Sequence, residues 1–238
     1  MPEVQHITRT GQFLTTVAEL SMLSPRMRRI VLAAPELAGQ HWPLGCDIAV
    51  VLTGPDGREV RRRYTVRSAA GERLVLDAVL HGHGPGSSWA QALRLGDRVS
   101  FFGPRGELPL PAESEASWLL ALTDEAGLPA IGALAEAAEA AGRPLRVLAE
   151  IADDGERYPL PAGAEVRWLA RDGRPPGRPE PLIDALAGVR PGTGPGFGYL
   201  LGESRAIVAV RDALGQLGLS RSEVYAKGYW NLNSRPTR

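Results

Sequence analysis

The chain has 238 residues, 44% of them hydrophobic and 23% charged, enough for one substantial core or two modest ones. Basic and acidic residues both number 27 with no long run of either sign, which excludes the footprint of a nucleic-acid binder and a polybasic membrane anchor. A lone cysteine, Cys46, excludes an internal disulfide, a cysteine zinc cluster and a cysteine-ligated iron–sulfur centre, and fits a reducing, cytoplasmic setting.

In chain order, Met1 to Gly11 is polar, with no apolar signal core. No later stretch approaches the roughly 18 apolar residues of a membrane span, so a soluble, unexported chain without stable membrane association is expected. Short β-rich runs follow at 13–20, 27–33, 47–53, 64–67, 73–79 and 98–102, a spacing that predicts an antiparallel barrel or sandwich. Gly54-Pro55-Asp56-Gly57 and Ala69-Ala70-Gly71-Glu72 carry hairpin turn chemistry between neighbouring runs.

After Pro109-Leu110-Pro111 the texture changes to a buried strand at 117–122 and an alanine-rich helix at 127–141. Strands at 145–151 and 165–169 come next, then a proline-rich loop at 172–181 and a helix at 182–187. A strand at 198–201, a helix at 204–217 and a strand at 223–226 complete the pattern. Alternating strands and helices predict a parallel, doubly wound sheet, whose ligands sit at the carboxyl ends of its strands near a switch in strand order. The expectation is therefore a β-barrel domain over 1–112 and an α/β nucleotide-binding domain over 113–238, with two ligands meeting at a domain cleft.

Two segments bear chemistry. In Arg61-Arg62-Arg63-Tyr64-Thr65-Val66-Arg67, strand alternation sends Arg62, Tyr64 and Val66 to one face and Arg63, Thr65 and Arg67 to the other. Guanidinium groups grip phosphate, an aromatic ring covers a planar heterocycle, and a hydroxyl bonds a ring nitrogen. Read alone, the segment is equally a charged edge strand with one half-buried tyrosine. The second segment, His81-Gly82-His83-Gly84-Pro85-Gly86-Ser87-Ser88, reads as a glycine-rich turn leading into a short helix from Trp89 to Leu93. Ser87 or Ser88 is placed to cap that helix and leave N–H groups for a pyrophosphate, although an ordinary capped turn has the same pattern. His81 and His83 supply only two ligands, so no metal site is expected.

Six pieces in order carry a family resemblance: Arg62 to Arg67; His81 to Ala90; Phe102-Gly103-Pro104-Arg105-Gly106; Thr123-Asp124-Glu125-Ala126-Gly127-Leu128-Pro129-Ala130-Ile131; Leu201-Gly202-Glu203; and Gly228-Tyr229-Trp230. Together the chain resembles the FAD-binding siderophore-interacting proteins of the ferredoxin-reductase-like superfamily. The resemblance implies an N-terminal flavin barrel, a C-terminal NAD(P)H domain, FAD as cofactor and NADH or NADPH as co-substrate. It also implies electron transfer to a ferric siderophore or other iron(III) chelate.

Residue by residue, it implies that Tyr64 lies against the isoalloxazine, that Thr65 bonds near its reactive edge, and that Arg62 neutralises the pyrophosphate with Gly86, Ser87 and Ser88. Val66, Arg67, His81 and His83 join this cofactor set, and Trp89 opens the short helix in a packing role. Asp124, Glu125, Leu128, Pro129, Gly202 and Glu203 match the nicotinamide-nucleotide site. Trp230 is expected close to the flavin, so Tyr64, Thr65 and Trp230 are the expected catalytic residues, with Lys227 first among candidates to meet the chelate. Lys227 is equally a solvated strand-end charge, and helix capping accounts equally for Asp124, Glu125 and Glu203. Arg171, Arg174 and Arg178 are candidates for a nucleotide 2′ group.

The chain departs from the family pattern at Ala126-Gly127, where threonine and alanine are common, at His83, where an acid is common, and at Asn231-Leu232-Asn233, where an arginine and a glycine usually follow. These changes bear on nucleotide preference and substrate. Two other readings share the flavin: a reductase or electron-transfer partner serving another oxidoreductase, and a flavin-binding sensor or interaction module without NAD(P)H turnover.

Overall fold

The structure is a computed structural model that describes residues 11–232 apart from Pro55 and His83, so the expectation for His83 lies outside the described residues. The chain divides into two compact units, one ending at Glu107 and the other beginning at Leu108.

In the first unit, β1 (Gln12–Ser24), β2 (Met27–Ala33), β3 (Asp47–Thr53), β4 (Glu59–Ala70), β5 (Arg73–Val79) and β6 (Arg98–Arg105) close into an antiparallel barrel in the order β1-β2-β5-β4-β3-β6. Alternation fills its interior with Ile30 and Leu32, Ile48, Val50 and Leu52, Leu74 and Leu76, and Val99 and Phe101, the last stacked on Phe13 at 5.2 Å. The β3–β4 hairpin closes where the Gly57 N–H donates to the Gly54 carbonyl at 3.0 Å. Strand β4 is longer than the run at 64–67 because β3 pairs with it from Thr53 opposite Glu59 to Asp47 opposite Thr65. Ladder pairing thus recruits the arginines that composition assigns to a flank. A helix, α1 (Gly84–Ala92), follows β5. The Arg28 guanidinium donates to the Ala90, Gln91 and Leu93 carbonyls, satisfying acceptors at the C-terminus of α1.

In the second unit, β7 (Trp118–Thr123), β8 (Leu145–Ile151), β9 (Ala164–Ala170), β10 (Gly196–Glu203) and β11 (Val224–Trp230) form a parallel sheet in the order β11-β10-β7-β8-β9. The chain steps outward from β7 to β9, then returns so that β10 pairs with the other side of β7, placing the switch between β7 and β10. Leu119 to Leu122 read as an unbroken apolar run because both faces of a central parallel strand are covered. The connecting helices are α2 (Leu128–Ala140), α3 (Glu180–Leu186) and α4 (Ser204–Leu214). Leu120, Leu148 and Leu200 pack with Leu182 and Leu186 of α3 and with Ile207, Val210 and Leu214 of α4. The buried Arg143 donates to the carbonyls of Pro111 and Ala116, and the Tyr199 hydroxyl donates to the Pro109 carbonyl at 2.8 Å, which fixes the segment leading into β7. Among the described residues no helix is long and apolar enough to cross a membrane.

Candidate functional site

In the barrel, the chemistry-bearing residues gather where β4 meets α1. Tyr64 packs against the barrel core, its ring 5.2 Å from that of Trp89, and its hydroxyl donates to the Gly86 carbonyl at 2.9 Å. Burial pushes the phenol above its ordinary pKa, with the Arg62 charge opposing, so the hydroxyl stays a donor through the physiological range. A Cβ on Gly86 would stand 2.9 Å from the Tyr64 hydroxyl and 3.3 Å from Arg62 Cγ. A side chain here would have to push the end of Tyr64 aside. Arg62 donates to the Arg61 carbonyl at 2.9 Å, and its remaining donors have no protein partner among the described residues.

The helix begins at Gly84, five residues before the start expected at Trp89. Its first turn tolerates Pro85, whose missing N–H would be unsatisfied there anyway, so the glycine-rich segment is the N-terminal turn itself. Ser87 and Ser88 therefore do not cap the helix. The buried Ser87 hydroxyl accepts from the Gly82 N–H at 3.2 Å, while Ser88 and His81 are exposed. Val66 belongs to the core, and Thr65 and Arg67 are buried on the opposite face of β4.

In the second unit the residues gather at the switch point. Asp124 directly follows β7, and its buried carboxylate accepts from the Ala126 N–H at 2.9 Å, the Glu203 N–H at 3.0 Å and the Trp230 indole N–H at 2.7 Å. One side chain thus ties together the ends of β7, β10 and β11. Gly202 has φ +155°, and a Cβ there would lie 2.7 Å from an Asp124 carboxylate oxygen, so the position requires glycine. Burial pushes the Asp124 carboxyl up to about 6, with the Trp230 hydrogen bond opposing and the Glu125 charge adding. Glu203 accepts from the Arg205 and Ala206 N–H groups as the N-cap of α4 and from the Leu232 N–H through its other oxygen. Burial opposes its ionisation, but these donors and the Arg205 charge hold the carboxyl below its ordinary range.

Next to this knot, Arg171 forks onto Glu125 at 2.6 and 2.9 Å and reaches Glu150 at 3.1 Å. Burial pushes Glu150 up to about 7 against the pull of Arg171. The proline-rich loop packs against the Asp124 knot, since a Cβ on its Gly177 would stand 3.1 Å from both Glu203 Cγ and Trp230 Cη2.

The structure thus brings Arg62, Tyr64 and Gly86 together in one unit, and Asp124, Gly202, Glu203 and Trp230 in the other. Leu128 and Pro129 open α2 with buried side chains. Lys227 is half-buried on β11, its ammonium 5.3 Å from the Tyr229 ring centroid. Of the arginines considered for a 2′ group, Arg171 is taken up by Glu125 and Glu150, and Arg174 donates to the carbonyls of Arg171 and Ala170, leaving Arg178 exposed. Sequence reasoning missed Glu150 and Gly177. An acid inside the apolar run Leu145–Ile151 is the signal for Glu150; nothing local marks Gly177.

A closed antiparallel barrel followed by a parallel sheet with polar groups at its switch point is the architecture of the ferredoxin-reductase-like flavoproteins. Residues 116–233 match the siderophore-interacting protein family and residues 50–108 match the siderophore-interacting FAD-binding domain. The chain belongs to the FAD-binding siderophore-interacting protein family. It is 29% identical to the ferric vibriobactin reductase of Vibrio cholerae over 185 residues, 74% of this chain and 66% of that protein. It is 27% identical to the NADPH-dependent ferric-chelate reductase of Escherichia coli over 184 residues, 74% of this chain and 69% of that protein. The chain thus spans just under two thirds of the length of the vibrio relative. Among solved structures, a siderophore utilization protein from T. fusca superposes with a TM-score of 0.82 at 29% identity, covering 95% of each chain.

Proposed function

We propose that this protein is a cytoplasmic FAD-dependent reductase that passes electrons from NAD(P)H to iron(III) in a ferric siderophore or related chelate and releases iron(II). One NAD(P)H supplies two electrons, enough for two iron(III) centres, and leaves NAD(P)+ and a proton. Bound FAD supplies the conversion of a two-electron donor into single-electron steps.

The observation that carries this reading is the Tyr64–Gly86 hydrogen bond, which holds an aromatic ring against the N-terminal turn of a helix where the stem of Arg62 also packs. Such a turn presents N–H groups to an anion, and Arg62 has donors to spare, so the residues present fit a dinucleotide's pyrophosphate beside a planar ring. Arg62, Gly86, Ser87 and Ser88 would hold the phosphates, with His81 and His83 beside them. Tyr64 would orient the ring with Val66 supporting it from the barrel core, while Thr65 and Arg67 would act from the opposite face of β4. At the switch point, Asp124, Glu125, Leu128, Pro129, Gly202 and Glu203 would shape the nicotinamide-nucleotide site, where Asp124 fixes the Trp230 indole. Lys227 would offer a positive charge to an anionic chelate. The names of the vibrio and E. coli relatives support the reaction class.

The test is anaerobic stopped-flow absorbance of the FAD-loaded protein mixed with NADH or NADPH and then with a ferric siderophore. Flavin bleaching followed by its return, with iron(II) trapped by a colorimetric chelator, is the expected result and names the donor. Protein that cannot be loaded with FAD overturns the reading. Loaded protein that neither nucleotide bleaches replaces it with a flavin-binding module, and bleached protein that reduces a soluble protein partner faster than iron replaces it with an electron-transfer partner.

A further inference from the structure

On β8 and β9, towards the amino ends of the strands and away from Asp124 and Glu203 at the carboxyl ends of β7 and β10, the second unit carries an open cavity of about 220 Å3. Arg146 and Glu165, the second residues of β8 and β9, pair across the two strands at its rim. Arg167 from β9 and Arg190 from the segment after α3 complete the charged lining. The floor is apolar, formed by the buried side chains of Leu148 and Val189.

The charges do not balance. Arg146 donates through Nε and Nη2 to one Glu165 oxygen at 2.9 and 2.8 Å and through Nη1 to the Arg190 carbonyl at 2.9 Å. The hydrogen bond of the Arg167 guanidinium is a long one, 3.4 Å to the Ala185 carbonyl, and among the described residues the Arg190 side chain has neither ion pair nor hydrogen bond. Three guanidinium groups therefore share one carboxylate, an excess of two positive charges. A Cβ on Gly188 would stand 3.3 Å from Arg167 Nη1, so the absence of a side chain there keeps space beside that guanidinium. Unspent guanidinium forks match the paired oxygens of carboxylates and phosphates, and an apolar floor strengthens such contacts by keeping water from one side. The cavity is smaller than the roughly 300 Å3 at which drug-sized sites begin, which limits an occupant to about one ring.

We propose that this cavity binds a small organic oxyanion, a carboxylate or phosphate monoester on a short apolar body, with the body on Leu148 and Val189 and the oxygens between Arg167 and Arg190. This site is separate from the nucleotide site and does not depend on the reductase reading.

The test is heteronuclear NMR of the 15N-labelled full chain titrated separately with phenyl phosphate, benzoate and inorganic phosphate. The expected result is saturable movement of the Val166, Gly188 and Val189 amides with phenyl phosphate or benzoate, the tighter of the two naming the head group, and weaker binding of inorganic phosphate, which lacks the body. Arg190→Glu weakens that binding at least about tenfold, as loss of a charge-assisted contact should, whereas Arg98→Glu in the barrel leaves it unchanged. Gly188→Val blocks the cavity; should that variant fold poorly, the exposed Arg190 substitution still decides. No saturable shift, shifts at Gly202 and Glu203 instead, equal binding of inorganic and phenyl phosphate, or binding indifferent to Arg190→Glu would each overturn the proposal.

Discussion

Tyr64 and Trp230 are each held by their one polar atom, but by different acceptors. In the barrel, Tyr64 donates to a backbone carbonyl, that of Gly86, 22 residues along the chain; in the sheet unit, Trp230 donates to the carboxylate of Asp124, 106 residues away. A peptide carbonyl carries no titratable charge and survives any side-chain substitution. A buried carboxylate does neither, and Asp124 also serves the Ala126 and Glu203 N–H groups. The barrel anchor is local and passive, whereas the sheet anchor concentrates three strand ends on one side chain.

The largest expected effect tests that concentration. Asp124→Ala leaves three donors without their acceptor at a buried position, and the second unit should lose about 2–4 kcal/mol of stability. Urea unfolding followed by tryptophan fluorescence measures it. A loss no greater than that caused by removing the Tyr64 hydroxyl would erase the contrast between the anchors.

The pH dependence sharpens the comparison. Asp124 is raised from 3.8 to about 6 in the fold and Glu150 from 4.5 to about 7. Between the ordinary value and the raised one, the folded chain holds a proton that the unfolded chain has released, so stability falls as pH rises through that window and levels off above it. The two raised carboxyls should add in this fall, with Glu203 acting in the opposite sense as pH drops below its ordinary range. Unfolding free energies from about pH 4 to about pH 8 should therefore slope in the wild type and flatten in Asp124→Asn with Glu150→Gln. An unchanged slope in the double variant would place the titration elsewhere.

The anchors also differ in how legible they are in sequence. Tyr64 and Gly86 belong to two short segments whose residue types already suggest a phosphate and a ring, and turn chemistry at 54–57 and 69–72 marks the end of β3 and the start of β5. The start of α1 was not legible, because glycine and proline read as a turn until the first-turn tolerance for proline is considered. At the switch point, alternating strands and helices announce where a ligand belongs, but that Asp124 accepts from Trp230 depends on β10 returning beside β7, which no local window contains. Arg171 is the sharpest case. By type and position it suits a phosphate, and only the fold delivers Glu125 and Glu150 to it.

Close approach gives the next effect in size. Gly127 faces Thr123 and Leu201 so tightly that a Cβ would stand 2.2 Å from Thr123 Oγ1 and 2.6 Å from Leu201 Cβ. Gly127→Ala should cost about 1–3 kcal/mol by forcing α2 away from β7 and β10. Gly86→Ala meets the movable end of Tyr64 and, less closely, the Arg62 stem at 3.3 Å, and should cost less stability while loosening FAD retention, measured by flavin release on dilution. Equal losses in the two variants would mean that α2 can shift as freely as the Tyr64 and Arg62 side chains.

The smallest effect isolates the barrel anchor. Tyr64→Phe keeps the ring, its contact with Trp89 and the apolar packing, and removes only the bond to the Gly86 carbonyl, worth about 1 kcal/mol. Because the raised phenol stays protonated through the physiological range and its acceptor is backbone, the loss should not change between about pH 5 and about pH 8. A pH-dependent loss would show that a titrating group also bears on Tyr64, and the barrel anchor would then share the pH sensitivity of the sheet anchor.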